Sequence, residues 1–212
     1  MSTFTSGKYQ WIYVYIVILI SWTLYRYFVT SPEWVDEFIA KPLLQILPII
    51  LTVVFLEKKS LSSLSIGSKT PLFHIGIGLA AGAFLVAESL LMQRLKYGSL
   101  SISLQGSLLP FFISLATGFS EELVYRGYFT RRIADITAGA LVATILQAIV
   151  FVLIHVPIIL FVLHYGVSDA LLYSMQLGIL GFFYGYIFLE TGSIIPTVIA
   201  HTLWNFTNWI VR

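Results

Sequence analysis

The chain has 212 residues, 58% of them hydrophobic and only 10% charged, with a net charge of +2 and no cysteine; its mean hydropathy is +0.90. A soluble domain carries about 25% charged residues, so this composition excludes a water-soluble globular protein, and so small a net charge gives no footing for nucleic acid. Without cysteine there are no disulfides, no thiolate nucleophile and no Cys-ligated zinc.

Apolar runs long enough to cross a hydrocarbon core of about 30 Å recur along the chain, and they lack the two-residue alternation of a transmembrane β-barrel. The expectation is an all-α, polytopic transmembrane helical bundle, a multi-pass integral membrane protein folded as a single domain over 1–212. In chain order, hydropathy predicts about seven spans, at 9–28, 38–56, 71–92, 104–130, 140–165, 169–190 and 193–211. The first, "WIYVYIVILISWTLYRYF", has no small-residue cleavage site after it and reads as a retained span, not a signal peptide. Pro42 and Pro48 interrupt the second. Stretches such as "EKKSLSSLSIGSKTP" and "ETGS" have the composition of turns between spans. The Lys and Arg bias of the loops places the N-terminus inside. Lys8, Lys58, Lys59, Lys69, Arg131 and Arg132 then face the cytoplasm. Arg26, Lys41, Arg94, Lys96 and Arg212 fall outside, together with the acidic group Glu33, Asp36 and Glu37.

The fourth span interrupts its apolar pattern with "TGFSEELVYRGYF", residues 117–129. Burying an ionisable group in a bilayer costs at least a few kcal/mol, so such groups face a protein interior and have a role. Glu122 and Arg126 are four apart on one helical face, the spacing of an ion pair. Glu121, about 100° away around the helix, is then left without a local partner, and a lone carboxylate in a low-dielectric site is a candidate general base or acid. The plainer alternative puts both glutamates at the membrane edge, paired with Arg126, Arg131 and Arg132.

Two further stretches repeat the four-residue spacing: "FVLIH" with Phe151 and His155, and "HTLWN" with His201 and Asn205. Taken alone, each reads equally as a hydrogen-bonded buried histidine or as polar contact between helices. Depth relates them. Glu121 and His155 are equidistant from residue 138, inside the turn-like "DITAGAL", so an antiparallel hairpin closing there sets both side chains at one level. With the membrane surface near Arg131, Glu121 lies about 15 Å deep at 1.5 Å per residue, level with His155 and His201.

The ordered set EExxxR, FxxxH and HxxxN resembles the CPBP family, the CAAX proteases and bacteriocin-processing enzymes also called Abi, which includes the Rce-type prenyl-protein endopeptidase. The resemblance covers about residues 105–210 and includes "ETGSIIPTVIAHTLWN" as a Gly-Ser turn leading into the last motif. It implies intramembrane hydrolysis of a peptide bond in a membrane-associated peptide or protein. Glu121 with His155 would activate a water, His201 and Asn205 would stabilise the oxyanion, and Glu122, Arg126 and Phe151 would support them. No metal is assigned as first choice. Zinc is the alternative cofactor, with Glu121, His155 and His201 as three ligands and one open position; the absence of HExxH excludes a zincin. A non-catalytic relative serving as bacteriocin immunity factor or membrane signalling scaffold is the second functional reading. A proton-coupled transporter would predict an internal repeat, which the sequence lacks. In a bacterium the location would be the cell membrane. Glu88 reads as a structural group paired with Gln147 or Gln176, or else as a second carboxylate lining a cavity. His74 and His164 read as interfacial.

Overall fold

In a computed structural model describing residues 7–211, the chain is helical almost throughout. Seven long helices follow one another: α1 (Gln10–Phe28), α2 (Glu33–Leu56), α3 (Pro71–Tyr97), α4 (108–134), α5 (Ala140–Phe161), α6 (Val167–Thr191) and α7 (Ile195–Ile210). Five of them, α1, α2, α3, α5 and α6, are long and apolar enough to cross a membrane. α4 carries Glu121, Glu122, Arg126, Arg131 and Arg132 in its second half, and α7 has 16 residues; both fall outside that set. Large apolar side chains such as Leu72, Val167 and Phe28 point outward, as they do where hydrocarbon replaces water as solvent.

α4 is the hub. All nine residues of its Glu122–Thr130 stretch are buried, and Leu123, Val124, Tyr125, Tyr128 and Phe129 form one apolar cluster with residues of α1, α2, α5 and α6. This stretch is π-helical, a widened turn that often accompanies functional sites. Gly127 is required there: a Cβ would lie 2.6 Å from the Leu64 carbonyl oxygen in the short helical turn Leu61–Leu64. Around the hub, α3 packs on α7, α5 on α6, and α1 against α5, where the Tyr15 hydroxyl donates to the Val150 carbonyl at 2.9 Å. An isolated antiparallel bridge ties Ile102 to Val211 at the end of α7.

The second helix departs from the sequence expectation. It begins at Glu33, five residues before the expected edge, and runs through Pro42 and Pro48 without a break. Proline removes an amide donor and crowds the preceding turn; here π-helical turns at Asp36–Ala40, Pro42–Ile46 and Thr52–Leu56 absorb the misfit. Asp36, Glu37 and Lys41, expected outside the membrane, are consequently helical and buried. Arg26 is buried too, with its guanidinium over the Trp22 ring and paired to Asp36, whose other oxygen accepts from Tyr25 and Ser31. Arg212 lies outside the described residues. His74, in the first turn of α3, is buried, and His164 is exposed beyond α5. Gln147 donates to the Gly181 carbonyl, so it is not the partner expected for Glu88.

Candidate active site

Three helices bring the motif residues together. Gly118 lets α4 approach α7 closely, since a Cβ there would stand 2.8 Å from the Thr202 hydroxyl and 3.2 Å from the Val198 carbonyl oxygen. One turn further along α4, Glu122 reaches across to α7, and its Oε1 accepts from His201 Nδ1 at 2.9 Å. The same oxygen accepts from Arg126 Nη1 at 2.9 Å. Glu122 and Arg126 are completely buried, and the guanidinium also lies over the rings of Phe151 and Tyr184 and donates to the Gly181 carbonyl at 3.3 Å. The expected pairing is therefore present, and it extends to three helices.

Glu121 turns the other way. Its Oε2 lies 4.0 Å from His155 Nε2 and 3.9 Å from His201 Nε2. His155 Nδ1 is 2.7 Å from the Phe151 carbonyl oxygen, which can only accept, so that nitrogen carries a proton. The Glu122 carboxylate fixes the proton of His201 on Nδ1 in the same way. Both Nε2 atoms thus face one carboxylate oxygen across a gap of 3.9–4.0 Å. Asn205, one turn beyond His201, lines the same cavity.

The Glu121 side chain is not without a partner, as its sequence neighbours had suggested. Lys41 Nζ is 2.6 Å from its Oε1 and 2.7 Å from Glu37 Oε1. The physical reason is burial: a carboxylate this enclosed requires a counter-charge, and α2 supplies it from 80 residues upstream. Lys41 and Glu37 entered the sequence reading only as charges on the outer side, at the edge of a span expected to begin at residue 38, and not as partners of Glu121. The signal was their four-residue spacing just before an apolar run. Tyr184 was also missed. It is buried, stacks on the His201 ring with centroids 5.0 Å apart, and its hydroxyl has no partner among the described residues.

A cavity of about 490 Å³ reaches from Glu121, His155 and His201 to Arg26, Glu33, Tyr165 and Trp209 at one end of the bundle. Among the described residues no three His, Asp or Glu side chains are gathered as metal ligands. The Lys41 ammonium holds one oxygen of Glu121, and the other faces the Nε2 atoms of His155 and His201.

Residues 103–207 match the family described as type II CAAX prenyl endopeptidase Rce1-like. No curated protein and no solved structure matches the chain. The matched segment contains the EExxxR, FxxxH and HxxxN motifs on α4, α5 and α7, and the chain belongs to this Rce1-like family of CAAX endopeptidases.

Proposed function

We propose that the protein is an intramembrane endopeptidase that hydrolyses a peptide bond in a membrane-associated peptide or protein. The observation that carries this reading is the convergence of His155 Nε2 and His201 Nε2 on Glu121 Oε2, at 4.0 and 3.9 Å, inside a cavity. A water held between Glu121 and His155 gives its proton to Glu121 while its oxygen attacks the scissile carbonyl carbon. In this reading His201 acts in its imidazolium form, with Nδ1–H on the Glu122 carboxylate and Nε2–H turned to the carbonyl oxygen as that oxygen becomes an oxyanion. The Asn205 amide is the second donor. Glu121 returns its proton to the departing amine nitrogen as the C–N bond breaks, so protons balance over the cycle.

This route needs no metal, and activity is expected to survive dialysis against strong chelators. Zinc at one equivalent per chain, with activity lost on chelation and restored by zinc, would overturn it. All seven long helices are proposed to span the bilayer, the cell membrane in a bacterium, with the N-terminus inside. The decisive comparison is between membrane peptidomes of cells carrying the wild-type protein and Glu121→Gln. Peptides that appear only with the wild type support the reading. Identical peptidomes would leave the immunity-factor or scaffold role in its place.

A further inference from the structure

We infer that Lys41, held between Glu37 and Glu121, is a positioning residue of this active site: it fixes one oxygen of Glu121 so that the other faces the two histidines. The inference rests on the peptidase reading above, but the contact it describes exists independently of any substrate. Lys41 and Glu37 lie on α2, ahead of the 103–207 segment that matches the family.

The geometry divides the labour between the two oxygens. Oε1 of Glu121 accepts from Lys41 Nζ at 2.6 Å, and Oε2 faces His155 and His201. A carboxylate with both oxygens unheld rotates about its last bond, whose torsional preference is broad. An ammonium on one oxygen stops that rotation. Lys41 is in turn fixed by Glu37 Oε1 at 2.7 Å, one helical turn earlier on α2. The Lys41 side chain is 7% exposed and those of Glu37 and Glu121 are 6% and 8% exposed, so water does not compete for these contacts. The remaining charged or titratable groups around Glu121 are His155 on α5, Tyr173 and Tyr184 on α6, His201 on α7, and Glu122, Tyr125 and Arg126 on its own helix. Arg126 is engaged by Glu122. Lys41 is therefore the permanent cation that touches the candidate base among the described residues.

A packing role and a positioning role separate by chemical rescue, and the chain is suited to it because it contains no cysteine. In Lys41→Cys the single thiol is alkylated with 2-bromoethylamine, which rebuilds a side chain of lysine length ending in an ammonium, or with iodoethane, which fills similar space without the charge. Lys41→Cys is expected to lose about a hundredfold in kcat, the scale of a reacting group misplaced by about 1 Å, with KM changed less than about threefold. Aminoethylation restores kcat to within about tenfold of wild type, and ethylation does not. Equal recovery with both reagents, or a loss confined to KM, would overturn the assignment.

Thermal midpoints of the same samples decide the contact without any substrate. Aminoethylation raises the midpoint above that of the ethylated protein in the Glu121 background, and this difference shrinks when Glu121→Gln is present. An identical difference in both backgrounds would also sink the inference. A wild type that cleaves nothing, with the midpoints behaving as stated, rejects the peptidase reading and leaves the Lys41–Glu121 contact standing.

Discussion

Glu121→Gln keeps the shape of the side chain but cannot take the water's proton, and turnover is expected to fall by at least about three orders of magnitude, the range of a lost general base and its electrostatics. Single-turnover cleavage at wild-type rate by purified Glu121→Gln would refute the general-base role. Asn205→Ala removes one oxyanion donor and should lower kcat by about two to three orders of magnitude while leaving substrate affinity nearly unchanged. Glu122 and Arg126 have a different task. Both are completely buried and share His201 with the reaction site, so removing either partner strands a charge at a cost of about 3–5 kcal/mol. A double-mutant cycle on thermal stability, Glu122→Gln with Arg126→Met, is expected to be strongly non-additive. Additive losses would show that the two do not act as a pair. The shared level of Glu121 and His155 was legible from register, through 17-residue arms either side of the α4–α5 turn, whereas placing His201 there took the further assumption that the membrane surface lies near Arg131. Lys41 was not legible. A contact across 80 residues leaves no periodicity in the sequence, and only the buried charge of Glu121 demands it.

At the scale of single helices, the fit to hydropathy depends on where charges sit. α1 starts within a residue of its expected edge because its polar residues flank an uninterrupted apolar run. α2 starts five residues early because its first two turns are charged yet find partners inside the bundle. Hydropathy measures an isolated segment against lipid and cannot register a counter-charge on another helix. The π-helical stretch of α4 is equally silent in the sequence, although Gly127 marks the close passage beneath Leu64. Gly127→Ala is expected to destabilise the protein by about 1–3 kcal/mol through overpacking, read as a lowered midpoint of thermal unfolding in detergent; an unchanged midpoint would mean that the Leu61–Leu64 turn yields. At the far end of the same helix, Arg132 grips both oxygens of Glu57, just beyond α2. Burial alone would raise the Glu57 carboxyl, but hydrogen bonds and charge from Arg132, with Lys59 nearby, hold it below the usual carboxylate range. A depressed value in the folded state contributes stability above the unfolded value of about 4.3, and that stability is lost as pH falls through the folded value. Glu57→Gln should therefore lower the midpoint at pH 7 and flatten its decline below about pH 4. A parallel decline in both proteins would rule out this linkage.

For the molecule as a whole, burial of Arg26 and Lys41 on the outer side and of Arg132 on the inner side changes the loop-charge comparison from six against five to five against three, still in the sense of an N-inside orientation. That orientation is testable in this cysteine-free chain. In intact cells Ser99→Cys, beyond α3, should react with a membrane-impermeant maleimide, whereas Ser60→Cys, beyond α2, should react only after permeabilisation; the reverse pattern would invert the protein. Arg26, Glu33, Tyr165 and Trp209 lie at the Ser99 end of their helices, so the cavity extends towards that face and away from Arg131 and Glu57. The Glu37–Lys41 pair also has a consequence for how the chain enters the membrane. At about 5–20 residues per second, the ribosome needs about 4–16 s to make the 80 residues that separate Lys41 from Glu121. Throughout that interval the nascent second helix must carry its lysine without its distant partner. Glu37, one turn earlier on the same helical face, is available from the outset to neutralise it, which lowers the cost of bringing an ammonium into hydrocarbon. The carboxylate that steadies Lys41 in the finished bundle is thus also its escort during synthesis, one contact serving the second helix before Glu121 exists.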